Sequence, residues 1–559
     1  RLYRLASLEL DAAVELFGER ASRVDPSFRV EDHRAAVREI CSRLDGMALA
    51  VELAAARLRS MRVDTLLHRL SPSLLVGGRD KEPRQQTMEA LIGWSYDLLG
   101  ADERTFLRCC AVFAGGFGAE SAAIVGFDQP ADEARAFEAL TSLVEKSLLL
   151  YDRDTGRYRL LEPIRDYLFA RLRESGEATE VHRRHARAFA AFAGASYDQW
   201  ERGPDAEWLA RAGADIHNVR AALHWSLAGK HEPATGARLA ADAVPIFLRL
   251  SRLVEGTRWC ETVIGAGIEL PFAVEARLRY GLSSLYTNLG SNKLILPQAQ
   301  TAAALYRQAG DSHGVARALS QCAHHFARQR QYDSARAAAA ESLELARSLG
   351  DVPLLAAALQ RCASAFEDGG IEPVRARYAE SVALFRTLGR DQETARALTW
   401  WGQSEAEAGN FSEAAQRLLE AREIAGGDLA ANLLTDIVGC YLALGETRKA
   451  RPLAYEALVL MWNDRHPVAL PMAVLYCAAI AEPERPAVAA QLLGYAQRRL
   501  DESEWTLVAP DDVVAGTLNA RLRGALSEAE RNRLQHEGAA WDDERAVAAA
   551  AAALGEAVP

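Results

Sequence analysis

Apolar residues along this chain recur at spacings of three and four, the period of a helix with one buried face. Leu8, Leu10, Val14 and Phe17 place one such stripe over residues 7–20, and a second helix is predicted over 32–44. After a glycine break at Gly46, the run 48–58 predicts one long, strongly apolar helix. Residues 87–99 form another, with Leu91, Trp94, Tyr96 and Leu98 available for burial. Asp102 and Glu103 then supply an acidic first turn for a new helix, which Val112–Phe117 closes, and 137–146 forms the next. The period changes once. Residues 148–151 and 158–161 flank Asp152-Arg153-Asp154-Thr155-Gly156 and read as a β-hairpin, because Asp and Gly are what such a turn requires.

The second half of the chain repeats itself. A shift of 40 superposes Ala316 on Ala356, Leu319 on Leu359, Cys322 on Cys362, Ala323 on Ala363 and Phe326 on Phe366. A shift of 39 brings Ser342 onto Ser381, Leu345 onto Leu384, Leu349 onto Leu388 and Gly350 onto Gly389. Each unit is two amphipathic helices around a break: Gln331-Tyr332-Asp333, Gly369-Gly370, Gly409-Asn410-Phe411 and Gly445-Glu446. Small residues follow the breaks (Ala335, Ala414, Ala450), where a second helix must approach the first. One helix pair cannot bury its apolar face alone, so neighbours stack and share a core. The pattern resembles tetratricopeptide repeats lengthened from about 34 residues. Four units are clear, and a fifth is expected over 275–310 with Leu305 in the Leu345 position. Such an array offers an inner surface to a peptide, protein or small ligand.

Composition narrows the function. With 559 residues, 49% apolar and 25% charged, the chain is too long for one core and ordinary for a folded protein. Its formal charge of −11 gives no reason to expect nucleic-acid binding by the whole chain. The eight cysteines include no Cys-x-x-Cys pair and are expected to be buried, reduced thiols of a cytoplasmic protein. No apolar stretch has the length of a membrane span, so no membrane partner is expected. Because Arg1 opens directly into a packed-looking pattern, the chain is expected to be the C-terminal piece of a longer protein.

Two motifs carry a family resemblance. Leu44-Asp45-Gly46-Met47-Ala48-Leu49-Ala50-Val51-Glu52-Leu53 is similar to the helical domain following the nucleotide-binding core of STAND-class (NB-ARC-like) signalling ATPases. Gly46, Leu49 and Ala50 match that family's Gly-x-Pro-Leu-Ala motif, and Ala48 stands where it has proline. The stretch from Thr87 to Tyr167, closing on Leu160-Leu161-Glu162-Pro163-Ile164-Arg165-Asp166-Tyr167, resembles the winged-helix domain of bacterial STAND regulators. Glu162 and Pro163 occupy the His and Asp places of the family's Met-His-Asp motif. An ionised carboxylate donates no hydrogen bond to a phosphate, so an ion pair within the domain is the other role open to Glu162. The resemblance implies that Gly46, Ala48, Leu49 and Glu162 lie near the nucleotide. Asp215-Ile216-His217-Asn218-Val219-Arg220-Ala221-Ala222-Leu223 and Glu255-Gly256-Thr257-Arg258-Trp259 extend it, and residues 534–554 resemble the family's tail.

Other motifs fail. Gly229-Lys230 is followed by His231 with no glycine at 224, so there is no Walker A loop and no ATPase core is expected in this chain. Asp152–Gly156 imitates an EF-hand but lacks its closing glutamate. His182 with His185, and His324 with His325, have no metal-ligand companions, so no metal site is expected. Arg183-Arg184 reads as a solvated face. Over 87–173 ten Lys/Arg stand against fourteen Asp/Glu, so the winged helix is expected to bind no DNA and to act as a mechanical coupler. Trp400 and Trp401 are the candidates for a ligand pocket in the repeats, with core packing expected of at least one.

The expectation is an all-α protein apart from one small winged-helix β-hairpin. Its predicted parts are an ARC-like helical domain (1–80), a winged helix (81–175), a helical connector (176–270), a tetratricopeptide-like array (271–465) and a helical cap (466–559). The resemblance implies the regulatory and sensor half of a transcriptional activator without catalytic residues of its own. A protein or small-molecule inducer would bind the repeats. ATP or ADP with Mg would bind an upstream ATPase core, nucleotide-driven self-assembly would follow, and DNA would be bound through a domain outside this chain. Two alternatives remain: an enzymatic effector (cyclase, kinase or defence nuclease) upstream, or a scaffold that uses no nucleotide.

Overall fold

In a computed structural model of the chain, the described residues are 8–44, 46–59, 61–70, 83–127, 132–202, 206–425, 428–463, 465, 468–503 and 507–558. They form two compact units, Arg1–Gly290 and Ser291–Pro559.

The first unit begins with α1 (Leu10–Val24), α2 (Arg34–Arg43), α3 (Ala48–Ala55) and α4 (Val63–Arg69) around Phe17, Val37, Ile40, Leu44, Val51 and Leu66. Helix α1 starts later than its apolar stripe suggests, because the Leu8 N–H donates to the Gly46 carbonyl at 2.9 Å instead of entering the helix. The predicted helix 48–58 is also shorter: α3 stops at Ala55 and tightens into a 3₁₀ turn over Ala56–Arg59. That turn carries the Arg57 side chain inward, with its guanidinium 5.8 Å from the Trp94 ring.

Next come α5 (Pro83–Asp97), α6 (Ala101–Cys109), α7 (Ala119–Gly126), α8 (Glu133–Glu145) and α9 (Glu162–Glu174). The predicted hairpin is present as β2 (Leu150–Asp152) and β3 (Arg157–Arg159), with Tyr151 opposite Tyr158. A third antiparallel strand, β1 (Gly116–Phe117), pairs with β3, so the sheet has order β1-β3-β2. Two residues are too few to show a strand period, and only the pairing reveals β1. The unit continues through α10 (Ala178–Arg202), α11 (Ala206–Leu223), α12 (Pro233–Asp242), α13 (Val244–Arg249), α14 (Leu253–Gly265) and α15 (Phe272–Asn288). Residues His224–Ala228 extend α11 as a π turn.

The second unit is a stack of helical hairpins. It runs α16 (Asn292–Ala309), α17 (Ser312–Arg328), α18 (Tyr332–Leu349), α19 (Val352–Cys362, continuing as a 3₁₀ turn to Gly369), α20 (Ile371–Thr387), α21 (Asp391–Glu407), α22 (Phe411–Ile424), α23 (Asp428–Ala443) and α24 (Thr447–Asn463). Its boundaries repeat chemically. Gly310 and Gly350 end α16 and α18 in the left-handed conformation that glycine adopts most easily. The next residue of each, Asp311 and Asp351, caps the following helix by accepting the Gly314 and Leu354 N–H at 2.8 and 2.9 Å. The superposition of Ser342 on Ser381 has a structural meaning: each hydroxyl donates to the carbonyl of Ala316 or Ala356, at 2.7 and 2.8 Å. Ala335, Ala414 and Ala450 are fully buried where the second helices approach the first.

Five helices follow: α25 (Ala469–Ala481), α26 (Pro486–Glu502), α27 (Asp511–Ala525), α28 (Glu528–Ala539) and α29 (Asp543–Leu554). Helices α26 and α28 touch backbone to backbone. A Cβ at Gly494 would sit 2.0 Å from the Gln535 carbonyl oxygen, and one at Gly538 would sit 1.8 Å from that of Gln491. All eight cysteines are buried and none forms a disulfide. Among the described residues no helix is long and apolar enough to cross a membrane, and no group of three His, Cys, Asp or Glu is placed to hold a metal.

Candidate functional site

The positions expected near a nucleotide sit at the starts of two helices, and α5 packs against both. Gly46 has φ +62°, and a Cβ there would lie 2.2 Å from the Leu8 carbonyl oxygen, so glycine at this position has a backbone-packing reason. Ala48 opens α3 exposed, and Leu49 is half-buried. Glu162 opens α9, also exposed, with Pro163 behind it. The ion pair expected as an alternative for Glu162 is not formed with any described residue; the residue stands instead in the first turn of α9, where a negative charge is favourable. Pro163 suits the first turn because its missing N–H has no helical partner there.

The Asp215–Leu223 motif has a clear task. Arg157 on β3 donates to Asp215 Oδ2 at 3.0 Å and to the Gly116 carbonyl on β1 at 2.7 Å. Asn218, fully buried, donates from Nδ2 to that same carbonyl at 2.9 Å and accepts the Ala114 N–H at 2.8 Å. Helix α11 therefore holds the sheet through a buried network in which each partner is satisfied by another.

The repeats have two different sides. Along their second helices runs a ladder of ion pairs: Arg307–Glu341 at 2.6 Å, Arg347–Glu380 at 3.9 Å, Arg386–Glu420, and Arg422–Glu456 at 2.7 Å. Each joins one second helix to the next. The first helices instead meet across two units. The Trp400 ring of α21 stacks on His324 of α17, centroids 4.9 Å apart and planes within 15°. Between them, the Ser364 hydroxyl lies 3.4 Å from His324 Nδ1. Contact between the first and third units requires the first helices to converge, so they line the inner side of the array.

The two nominated tryptophans divide between core and inner face. Trp401 is buried: its Nε1–H donates to Glu405 Oε1 at 2.9 Å, and Tyr378 stacks on its ring. Glu405, also buried, accepts two bonds from Arg375 at 2.7 and 2.8 Å and one from Asn410 at 2.9 Å. Burial works against its ionised form, but Arg375, Trp401 and Asn410 together hold the carboxyl below its usual range. Trp401 is thus a structural anchor, while Trp400 is half-buried on the inner face.

Charge along that face is graded. Burial, reinforced by neighbouring His325, Arg328 and Arg361, pushes His324 down to about 3, so the ring under Trp400 is neutral at physiological pH. His325 is pushed down to about 4 by the same causes, burial first. Further along, burial and the charge of Glu407 raise Glu367 to about 7, opposed by a bond from the Ser404 hydroxyl at 3.5 Å. Asp436, which accepts from Gln403 Nε2 at 3.0 Å, is raised by burial. Asp511 on α27 is raised to about 7 by burial and by Asp436, against a bond from the Tyr476 hydroxyl. The arrangement sets a neutral imidazole–indole stack and a series of carboxyls raised by burial along the repeats and the helices after them. The sequence signal for it was the adjacency of His324 to the repeat register: shifts of 40 and 39 place Gln321, Arg361 and Trp400 at one position, and His324, Ser364 and Gln403 at another.

No protein-family model matches the chain. It is 35% identical over 472 residues to proteins of Mycobacterium bovis and Mycobacterium tuberculosis named "Putative HTH-type transcriptional regulator", a match covering 81% of this chain and 52% of theirs. Among solved structures, a STAND protein with a tetratricopeptide repeat sensor from Pyrococcus horikoshii aligns with 96% of this chain and 75% of its own, at 13% identity and a TM-score of 0.47. A Rap protein in complex with competence and sporulation factor aligns with 62% of this chain and 99% of its own, at 13% identity and a TM-score of 0.41. The chain spans about half the length of the curated relatives it matches, and over most of its own length it is similar to proteins named as transcriptional regulators.

Proposed function

We propose that this chain is the regulatory and sensing half of a cytoplasmic STAND-type signal-transduction regulator that activates transcription. The observation that carries the reading is the 35% identity over 472 residues to the mycobacterial regulators. In this reading the inducer, a protein or a small molecule, seats on the inner face of the repeats at Trp400, His324 and the carboxyls beyond them. The α5–α9 region with its sheet is the winged helix, and Asp215 and Asn218 on α11 are the joint through which it is moved. ATP or ADP with Mg binds an ATPase core upstream, near Gly46, Ala48, Leu49 and Glu162, and DNA is bound by a further domain; this chain supplies no catalytic residue. A signal drives such a switch only through differential affinity for the open form, and a coupling of about 1–3 kcal/mol suffices for a several-fold response.

The test uses the natural full-length protein. Mapping its chromosomal binding sites and the transcripts that change on its deletion should give a small set of shared promoters. Trp400→Ala should abolish the transcriptional response while leaving promoter occupancy intact. Calorimetric ADP binding should be present, and should tighten in Ala48→Pro and Glu162→His. Absence of promoter occupancy would remove the transcriptional reading, and absence of nucleotide binding in all versions would remove the ATP switch.

A further inference from the structure

The first unit contains a hollow of about 670 Å³, a volume within the range of small-molecule sites. Its walls come from the π turn after α11, the start of α14 and the residue that follows α15. Trp259 forms one wall, half-buried, with its ring meeting His224 edge to face at 4.9 Å and 87°. Val254 and Leu289 leave 55% and 38% of their surfaces to solvent, so apolar area faces the hollow without a cover. π turns are frequent at functional sites, and here His224, the first residue of the turn, meets Trp259.

Two guanidinium groups, Arg252 and Arg258, also line this hollow, and neither has an ion-pair or hydrogen-bond partner among the described residues. Ser251 holds φ +54°, uncommon for a residue with a side chain, and the Arg252 N–H is fixed to the Phe247 carbonyl at 2.8 Å. The one carboxylate at the rim is already occupied: Glu255 accepts from Arg220 Nε at 2.6 Å, with a second bond to the same guanidinium. The hollow therefore combines an aromatic and aliphatic lining with two uncompensated positive charges. The nearby Arg220–Glu255 pair shows what such a guanidinium does when a carboxylate is within reach.

We propose that the Trp259–His224 hollow binds a small aromatic carboxylate, its ring against Trp259 and Val254 and its carboxylate on Arg252 and Arg258. Charge complementarity selects the anion, since Arg matches carboxylate geometry with paired donors. The aromatic wall selects a flat ligand over an aliphatic one. This site is separate from the inner face of the repeats and stands whether or not the inducer binds there.

The probe is 2-naphthoate, titrated calorimetrically into the full chain, with 2-naphthalenemethanol as its uncharged counterpart. Saturable binding of one naphthoate is expected, weakened by at least about tenfold for the alcohol and for the double variant Arg252→Gln/Arg258→Gln. Both arginines are exposed, so this variant should keep the wild-type melting temperature. Val254→Asp places a carboxylate in the hollow and should repel the anion to a similar degree, whereas Trp400→Ala should leave binding unchanged. Equal affinity for the alcohol, insensitivity to these substitutions, loss of binding in Trp400→Ala, or no saturable binding would each overturn the proposal.

Discussion

The outer and inner sides of the repeat array are built from the same period yet from opposite chemistry. Outside, arginines and glutamates join successive helices while remaining largely in water, as in Arg307–Glu341, where both side chains are nearly half exposed. Such pairs are screened and contribute little each, so that ridge tolerates change. Inside, polar groups lose water: His324 is held neutral, Glu367 is pushed up, and Glu405 is kept ionised only by a full set of donors. Withdrawn from solvent, each inner group depends on a specific neighbour, and replacing that neighbour has a consequence.

The sharpest way to break this contrast is Glu405→Ala, which strips Trp401, Asn410 and Arg375 of a shared acceptor. It should lower the stability of the second unit by about 3 kcal/mol, read from urea unfolding. Next is Glu367→Gln. The Glu367 carboxyl rises from an ordinary 4.5 to about 7 in the folded protein, so the native state holds a proton that the unfolded chain releases. Its contribution is complete below about pH 4.5 and is lost as pH rises through 7. The variant, which keeps the neutral form, should become the more stable of the two by about 1–3 kcal/mol at pH 8, with the difference vanishing at pH 4. Unfolding curves at both pH values decide it, and a constant difference would show that Glu367 does not titrate there. Trp400→Ala removes a ring from the His324 stack and should cost about 1 kcal/mol in the same assay. On the outer ridge, Glu341→Gln should cost no more than about 0.5 kcal/mol, and less still in 1 M salt. A loss there as large as that of Glu405→Ala would erase the distinction.

Particular residues show how far the sequence could be read. The register that places Ser342 on Ser381 is matched in the structure by two equivalent hydroxyl-to-carbonyl bonds, because a repeated fold needs the same local solution in each unit. The glycine-then-aspartate boundaries at 310–311 and 350–351 are local turn and cap chemistry, yet of these four residues only Gly350 enters the repeat register. The two-residue strand at Gly116 escaped notice because it exists only through its pairing with Arg159. The helix after Gly46 was overextended, since propensity alone could not show where Arg57 would turn inward. Glu162 carries no ion pair with the described residues, because its surroundings depend on packing between helices.

Of the candidate site, Trp400 and Trp401 were visible as a pair, but their separate roles were not. Adjacent helical residues point about 100° apart, and which of the two directions meets the core depends on the neighbouring helices. By itself the sequence determined the helical period, the roughly 40-residue repeat and the breaks between its helices, because these follow from interactions within a few positions along the chain. Only the tertiary structure decided that Trp400 would reach His324 from two units away, that Glu405 would be fully paired, and that Arg252 and Arg258 would line a hollow whose one carboxylate is already paired with Arg220. Those outcomes depend on side chains far apart in sequence being brought within a few ångströms and removed from water, which no local pattern encodes.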